Sequence, residues 1–231
     1  MSISVYEFID NMFGSNIQEQ MAKGKKIIEI PNTNRESLAE LLGAMDLNNG
    51  AEIGVERGLY SKVLLEKNPK LFLHSIDAWT AYSGYRDHVD QNKMNQLLAD
   101  ARENLAKYSG RNVLLKLFSV EASKGFNDGS LDFVYIDGNH EYAQTVADIS
   151  AWDRKVRVGG IVAGHDYIRR RHNGYLMHVM EAVGGWVEAY QIAPLLILGR
   201  KEKLPGEKRD DSRSWFYVKQ APREVVKGFG A

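Results

Sequence analysis

Residues 51–61 read AEIGVERGLYS. An apolar run closes on Gly54, Gly58 follows, and helix-forming sequence comes next, the layout of the first strand-to-helix turn of an open parallel sheet. In folds that bind NAD or FAD the middle of that turn is glycine, so that backbone can approach a pyrophosphate at the helix N-terminus. Here the middle position holds Glu56, with Glu52 two residues ahead of Gly54. A carboxylate 4 Å from a phosphate charge costs about 1 kcal/mol in water and roughly 4 kcal/mol at an effective dielectric of 20. The loop disfavours phosphate and suits a cationic ligand.

Working outward, strand-like and helix-like runs alternate. AEIGV, LFLHSID, NVLLKLFS, LDFVYID and GGIVAGHDY read as strands, and LYSKVLLEK, MNQLLADARENLAKY, VEASKGF and YAQTVADISAWDRKV as the helices between them. This alternation predicts parallel crossovers and a sheet covered on both faces. Residues 1–49 read as a helical extension whose second helix starts on a cap at Thr33 or Asn34, and 50–220 as the ligand-binding domain. Within the latter, YLMHVMEAV reads as a helix, and the late apolar runs LLILGRK and WFYVK as an antiparallel hairpin with a mobile charged tip. Residues 221–231 form a tail.

Composition narrows the partners. A chain of 231 residues with 44% hydrophobic and 26% charged residues suits one α/β domain with appendages. Thirty basic and thirty acidic residues cancel, so nothing favours nucleic acid or an anionic membrane. The absence of cysteine excludes disulfides, thiolate metal sites and a cysteine nucleophile. With no 18-residue apolar run and no signal-like start, the expectation is a soluble cytoplasmic protein. Apolar N-terminal helices leave room for a homodimer.

A ribose-reading acid is expected at the end of the second strand, about 20 residues past the glycines. Asp77 stands there. Glycine turn, acids in place of phosphate and Asp77 together point to S-adenosylmethionine, whose sulfonium and ammonium are positive. Further on, LDFVYIDGNHEY delivers Asp137 and then His140, while GGIVAGHDY delivers His165 and Asp166. Adjacent strands lie ~4.8 Å apart, so Asp137 and Asp166 can converge just outside the sheet, either sharing a cation or shifting each other's proton affinity. A histidine beside such an acid is a candidate general base. Sequence alone does not choose among magnesium, manganese, iron and zinc. Two weaker features are the basic run Arg169 to His172, an anion grip or a solvated face, and the aromatics Trp79, Tyr82 and Tyr85, an adenine wall or packing.

AEIGVERGLYS, SIDAW, VYIDGNHEYAQTVADISAW and VRVGGIVAGHDY together resemble the class I S-adenosylmethionine-dependent methyltransferases, nearest the branch of macrocin-type sugar O-methyltransferases and cephalosporin-hydroxylase-like proteins. The resemblance spans roughly residues 50 to 200. It implies a Rossmann-like, seven-stranded, mostly parallel sheet ending in an antiparallel hairpin. It also implies cofactor contacts from Glu52, Gly54, Gly58, Asp77, Ser119 beside the adenine, and Asp137 at the methionine end. Some members of the branch bind magnesium through positions that Asp137 and Asp166 match, whereas His165 stands where those members have an acid. The expected activity is O-methylation of a hydroxyl on a sugar or natural product, with His140 or His165 taking the proton and Asp137 with Asp166 orienting the base or holding magnesium or manganese. N-methylation is the nearest alternative. An NAD-dependent oxidoreductase and a non-catalytic nucleoside-binding module are the readings from other classes.

Overall fold

The computed structural model describes residues 4–82, 90–169, 171–172 and 175–222. Two short helices, α1 (Val5–Phe13) and α2 (Ile17–Ala22), lead into strand β1 (Ile27–Ile30) and helix α3 (Arg35–Ala44). The alternating body then runs β2 (Asn49–Ile53), α4 (Leu59–Lys67), β3 (Phe72–Asp77), α5 (Gln91–Leu105), β4 (Asn112–Lys116), α6 (Ser119–Ser123), β5 (Leu131–Ile136), α7 (Tyr142–Asp153) and β6 (Val156–Gly164). A small ribbon, β7 (Arg171–His172) with β8 (Tyr175–Leu176), precedes α8 (Val179–Ala189), β9 (Leu195–Leu198) and β10 (Trp215–Val218).

The main sheet has eight strands in the order β4-β3-β2-β5-β6-β10-β9-β1. Only β10 runs antiparallel to its neighbours β6 and β9. The fold is therefore the expected Rossmann-like α/β architecture with one C-terminal hairpin, corrected from seven strands to eight. The extra strand comes from the segment read as wholly helical: Ile27–Ile30 pairs in parallel with Leu195–Leu198. Four residues are too few to display a strand period, and the pairing with β9 gives this short run its strand form. Asn34 is the α3 cap, with Ser37 completing a reciprocal capping box worth ~1 kcal/mol.

Both faces of the sheet are buried. Along β5, Phe133 and Tyr135 pack on one face with Leu38, Leu42, Leu64 and Ile9, while Val134 and Ile136 face Ile149, Trp152 and Val183 on the other. The hairpin connection is tied down. Buried Glu207 accepts the backbone N–H groups of Asn32, Arg200 and Leu204, and buried Arg213 pairs with Glu29 at 2.6 Å. Within the charged run 202–213, Arg209 also donates to the carbonyls of Arg200 and Lys201, and Asp210 accepts the backbone N–H of Arg35. Among the described residues no helix is long and apolar enough to cross a membrane.

Chain order reverses between β2 and β5, and there the strands end level: Ile53 lies opposite Ile76 and Ile136, and Ile136 opposite Gly164. The next residue on each strand is Gly54, Asp77, Asp137 and His165. In-register strands thereby deliver four of the sequence-predicted site residues abreast at the switch point where open α/β sheets bind ligands.

Candidate active site

A cavity of about 800 Å³ opens at this switch point, bounded by the glycine loop, the ends of β3 and β5, and the starts of α3, α5 and α6. Gly54 has φ +87°, and a Cβ there would fall 2.0 Å from the carbonyl oxygen of Asp137. Its role is close approach of two strand ends. Gly58 closes the loop at φ +74° against Leu105 of α5.

The Asp77 carboxylate accepts the backbone N–H groups of Val55 and Glu56, each at 3.0 Å, and that of Trp79 at 2.9 Å. The loop amides that would greet a phosphate are thus already spent on a carboxylate. Of about four acceptor positions on that carboxylate, one remains for a ribose hydroxyl. Glu56 adopts φ +51° with its side chain exposed at the cavity wall. Glu52 differs from expectation. It is buried, takes a hydrogen bond from the Ser61 hydroxyl, and burial pushes its carboxyl up to about 8, so at neutral pH it is protonated and offers no charge against phosphate.

The far wall is apolar. Leu117, Phe118 and Val120, all exposed, line it, with Phe118 edge-on to Tyr82 at 5.6 Å. Such a lip suits a planar base. Ser119 lines the cavity here and its Oγ accepts Trp152 Nε1–H at 2.9 Å. Asp148 of α7, which sequence reading passed over, is buried on the same wall; burial lifts its carboxyl to about 6, while hydrogen bonds from Ser119 and Gln144 pull the other way. Trp79 does not reach the cavity wall: it is fully buried among Val55, Met94 and Ala101, bonding to Glu56 O, and so packs α5 onto the domain. Tyr85 and Arg170 lie outside the described residues, as do the side chains of Arg171 and His172, and Arg169 pairs with Glu181 at 2.7 Å.

At the other end Asp137, His140 and Asp166 present ligand atoms within 4.8 Å of one another. His140 Nε2 lies 2.8 Å from Asp166 Oδ2 and 3.6 Å from Asp137 Oδ1. His165 Nδ1 lies 3.7 Å from Asp137 Oδ2 and 3.5 Å from Asp166 Oδ1. Asp166 holds φ +56°, a conformation uncommon outside glycine, which accompanies the placing of its carboxylate on His140. Asn139 turns the chain by accepting Glu141 N–H at 2.8 Å, and the N-cap residue of α8, His178, donates its backbone N–H to His140 O at 2.9 Å. Burial lowers the proton affinity of His140, but Asp137 and Asp166 more than offset it and raise its pKa to about 10. The same contest raises His165 and drives Asp166 well below the usual carboxylate range. Only His140 of the two histidines lines the cavity; His165 stands behind it, its Nε2 buried with no hydrogen-bond partner among the described residues.

Sheet order, level strand ends and a switch-point cavity with acids at one end and an apolar slot at the other define a Rossmann-like α/β fold with a ligand cavity where such folds bind. The chain belongs to the family described as "Methyltransferase domain", which matches residues 51–167. No curated protein matches it. Among solved structures it is similar to the O-methyltransferase from Bacillus cereus in complex with SAH, at 16% identity and TM-score 0.57 over 91% of each chain. It is also similar to a Staphylococcus aureus protein provisionally described as a caffeoyl-CoA O-methyltransferase, at 14% identity and TM-score 0.57 over 94% of this chain and 100% of that one. The N-methyltransferase NodS from Bradyrhizobium japonicum matches at 15% identity and TM-score 0.52, over 81% of this chain and 95% of that one. These likenesses are of fold.

Proposed function

We propose that the protein is an S-adenosylmethionine-dependent O-methyltransferase acting on a small-molecule hydroxyl, of a sugar or natural product, within the branch that its DGNHEY and GHDY motifs resemble. The observation that carries this reading is the pairing of a nucleoside-shaped cavity, whose loop amides are consumed by Asp77, with a carboxylate–imidazole cluster opening onto the same space. A pyrophosphate finds no amide cradle there, which disfavours an NAD oxidoreductase. The SAH bound by the Bacillus cereus relative supports the cofactor.

The residues fit S-adenosylmethionine: an apolar lip for adenine at Phe118, one free acceptor position on Asp77 for ribose, and Asp137 for the cationic end. That cofactor brings a methyl group already activated on a sulfonium. The protein's task is then to align the acceptor oxygen and to handle its proton. His140 is the imidazole on the cavity wall, and in the ion-free site its proton is held by Asp166. Asp137 and Asp166 face the protonated His140, and a divalent cation bound there would take the place of its proton. Asp137, His140 and Asp166 would hold that cation, and bound there it would acidify an acceptor hydroxyl. With imidazole in the donor set, manganese, iron or zinc suits the site better than magnesium. His165, its Nδ1 facing both carboxylates, helps to hold them in place.

Isothermal titration with S-adenosylhomocysteine and with NADH tests the reading, together with methyl transfer from labelled cofactor to hydroxylated acceptors. Micromolar uptake of the homocysteine compound and none of NADH is expected. Tight uptake of NADH alone would overturn it.

A further inference from the structure

Arg35 is the first residue of α3, and its backbone is fixed from two sides: its N–H donates to Asp210 Oδ2 at 2.8 Å, and its carbonyl accepts from Tyr60 Oη at 2.8 Å. The side chain lies over the Tyr60 ring, Cζ 5.4 Å from the centroid, and reaches the cavity wall beside Glu52 and Asp137. Burial acts against its charge, but Tyr135, Asp137 and Asp210 outweigh it and keep the guanidinium firmly protonated. Other arginines away from the open surface spend their donors on the protein. Arg111 bonds the carbonyls of Leu65, Asn68 and Leu71, and Arg213 pairs with Glu29. The Arg35 guanidinium makes no hydrogen bond or ion pair among the described residues. It is a held, charged fork aimed at a ligand cavity with its donors unspent.

A planar fork of N–H donors is the partner for a carboxylate. Asp137 lines the same cavity, a carboxylate that makes no ion pair with Arg35. A fixed cation and a fixed anion lining one cavity fit an α-amino acid, whose ammonium and carboxylate are joined through a single carbon. We propose that Arg35 binds the α-carboxylate at the methionyl end of the cofactor, with Asp137 taking the ammonium. The proposal rests on the cofactor reading above and assigns a contact that the sequence motifs do not contain. A carboxylate could also come from the acceptor, and the test separates the two sources.

Calorimetry would compare S-adenosylhomocysteine with its decarboxylated analogue, the same thioether and amine lacking only the carboxylate. The wild-type protein is expected to prefer the intact ligand by about 10- to 100-fold, the worth of a charged hydrogen-bonded pair. In Arg35→Gln that preference should vanish while affinity for the decarboxylated analogue stays, which also shows that the variant is folded. Arg35→Lys, keeping charge without the fork, should fall between. If Arg35→Gln keeps the full preference, the assignment to the cofactor carboxylate is overturned. If the wild-type protein binds neither compound, the cofactor reading itself fails.

Discussion

His140 Nε2 lies 2.8 Å from Asp166 Oδ2, joining the loop after β5 to the loop after β6. The imidazole is raised to about 10 against burial, which alone would lower it, so the contact is an ion pair at neutral pH. A histidine whose folded value lies above its unfolded value near 6.5 stabilises the fold fully below about 6.5 and loses that contribution as pH rises through about 10. In the ion-free protein the His140 imidazole resonances should therefore titrate near 10, and in Asp166→Asn the midpoint should drop by roughly one to three units. A midpoint near 6.5 in the wild-type protein would break the ion pair.

The same cluster should exchange protons for metal. Titrating manganese into chelator-treated protein at pH 7 should release protons, seen as a binding enthalpy that varies with buffer ionisation enthalpy. Asp137→Asn and Asp166→Asn should each weaken manganese binding by about 10- to 100-fold, and magnesium should bind the wild-type protein less tightly than manganese. Equal affinity for the two ions would argue that His140 takes no part.

Gly54→Ala should be severely destabilising. The added methyl would sit 2.0 Å from Asp137 O at a residue with φ +87°. Overpacking and the left-handed backbone together cost about 3 kcal/mol or more, a Tm lowered by roughly 6–12 °C in scanning calorimetry. A drop of only a degree or two would mean that the two strand ends are free to separate.

Asp77→Asn separates loop support from ligand contact. Asparagine has one acceptor oxygen, so either Trp79 N–H or the Val55 and Glu56 pair must face an amide N–H instead. Stability should fall by about 1–3 kcal/mol and S-adenosylhomocysteine affinity by more than about 10-fold. A variant with unchanged affinity would remove Asp77 from the ribose site.

How much of this was legible in the sequence follows from how each residue reaches the cavity. Asp77 closes a parallel strand and Asp137 and His165 each follow the last residue of one, and neighbouring parallel strands that end level must present such residues together. His140 and Asp166 follow within short turns, so their convergence was also readable. Arg35 and Asp148 arrive on helices. Asp148 looks like any polar position of an amphipathic segment until the rotation of α7 turns it to Ser119, and Arg35 enters because α3 packs on α4, where Tyr60 Oη bonds its carbonyl. Burial also rewrote one chemical inference: a glutamate in a strand reads as a charge, but Glu52 sits where water cannot reach it.

That burial yields a pH signature. Glu52 carries its proton up to about 8 in the folded protein, chiefly because it is desolvated, whereas in the unfolded chain it ionises near 4.5. Between those values the native state holds a proton that the unfolded state has released, so stability is greatest below about 4.5 and falls as pH rises toward 8. At about 1.4 kcal/mol per unit, the loss is on the order of 4–5 kcal/mol. Glutamine keeps the shape and an acceptor for the Ser61 hydroxyl but cannot ionise. Glu52→Gln should thus match the wild-type protein at pH 5 and exceed it at pH 8 in urea unfolding, with a flatter slope between. Parallel pH profiles for the two proteins would place a charged Glu52 in the native state and restore it as an anion beside the ligand.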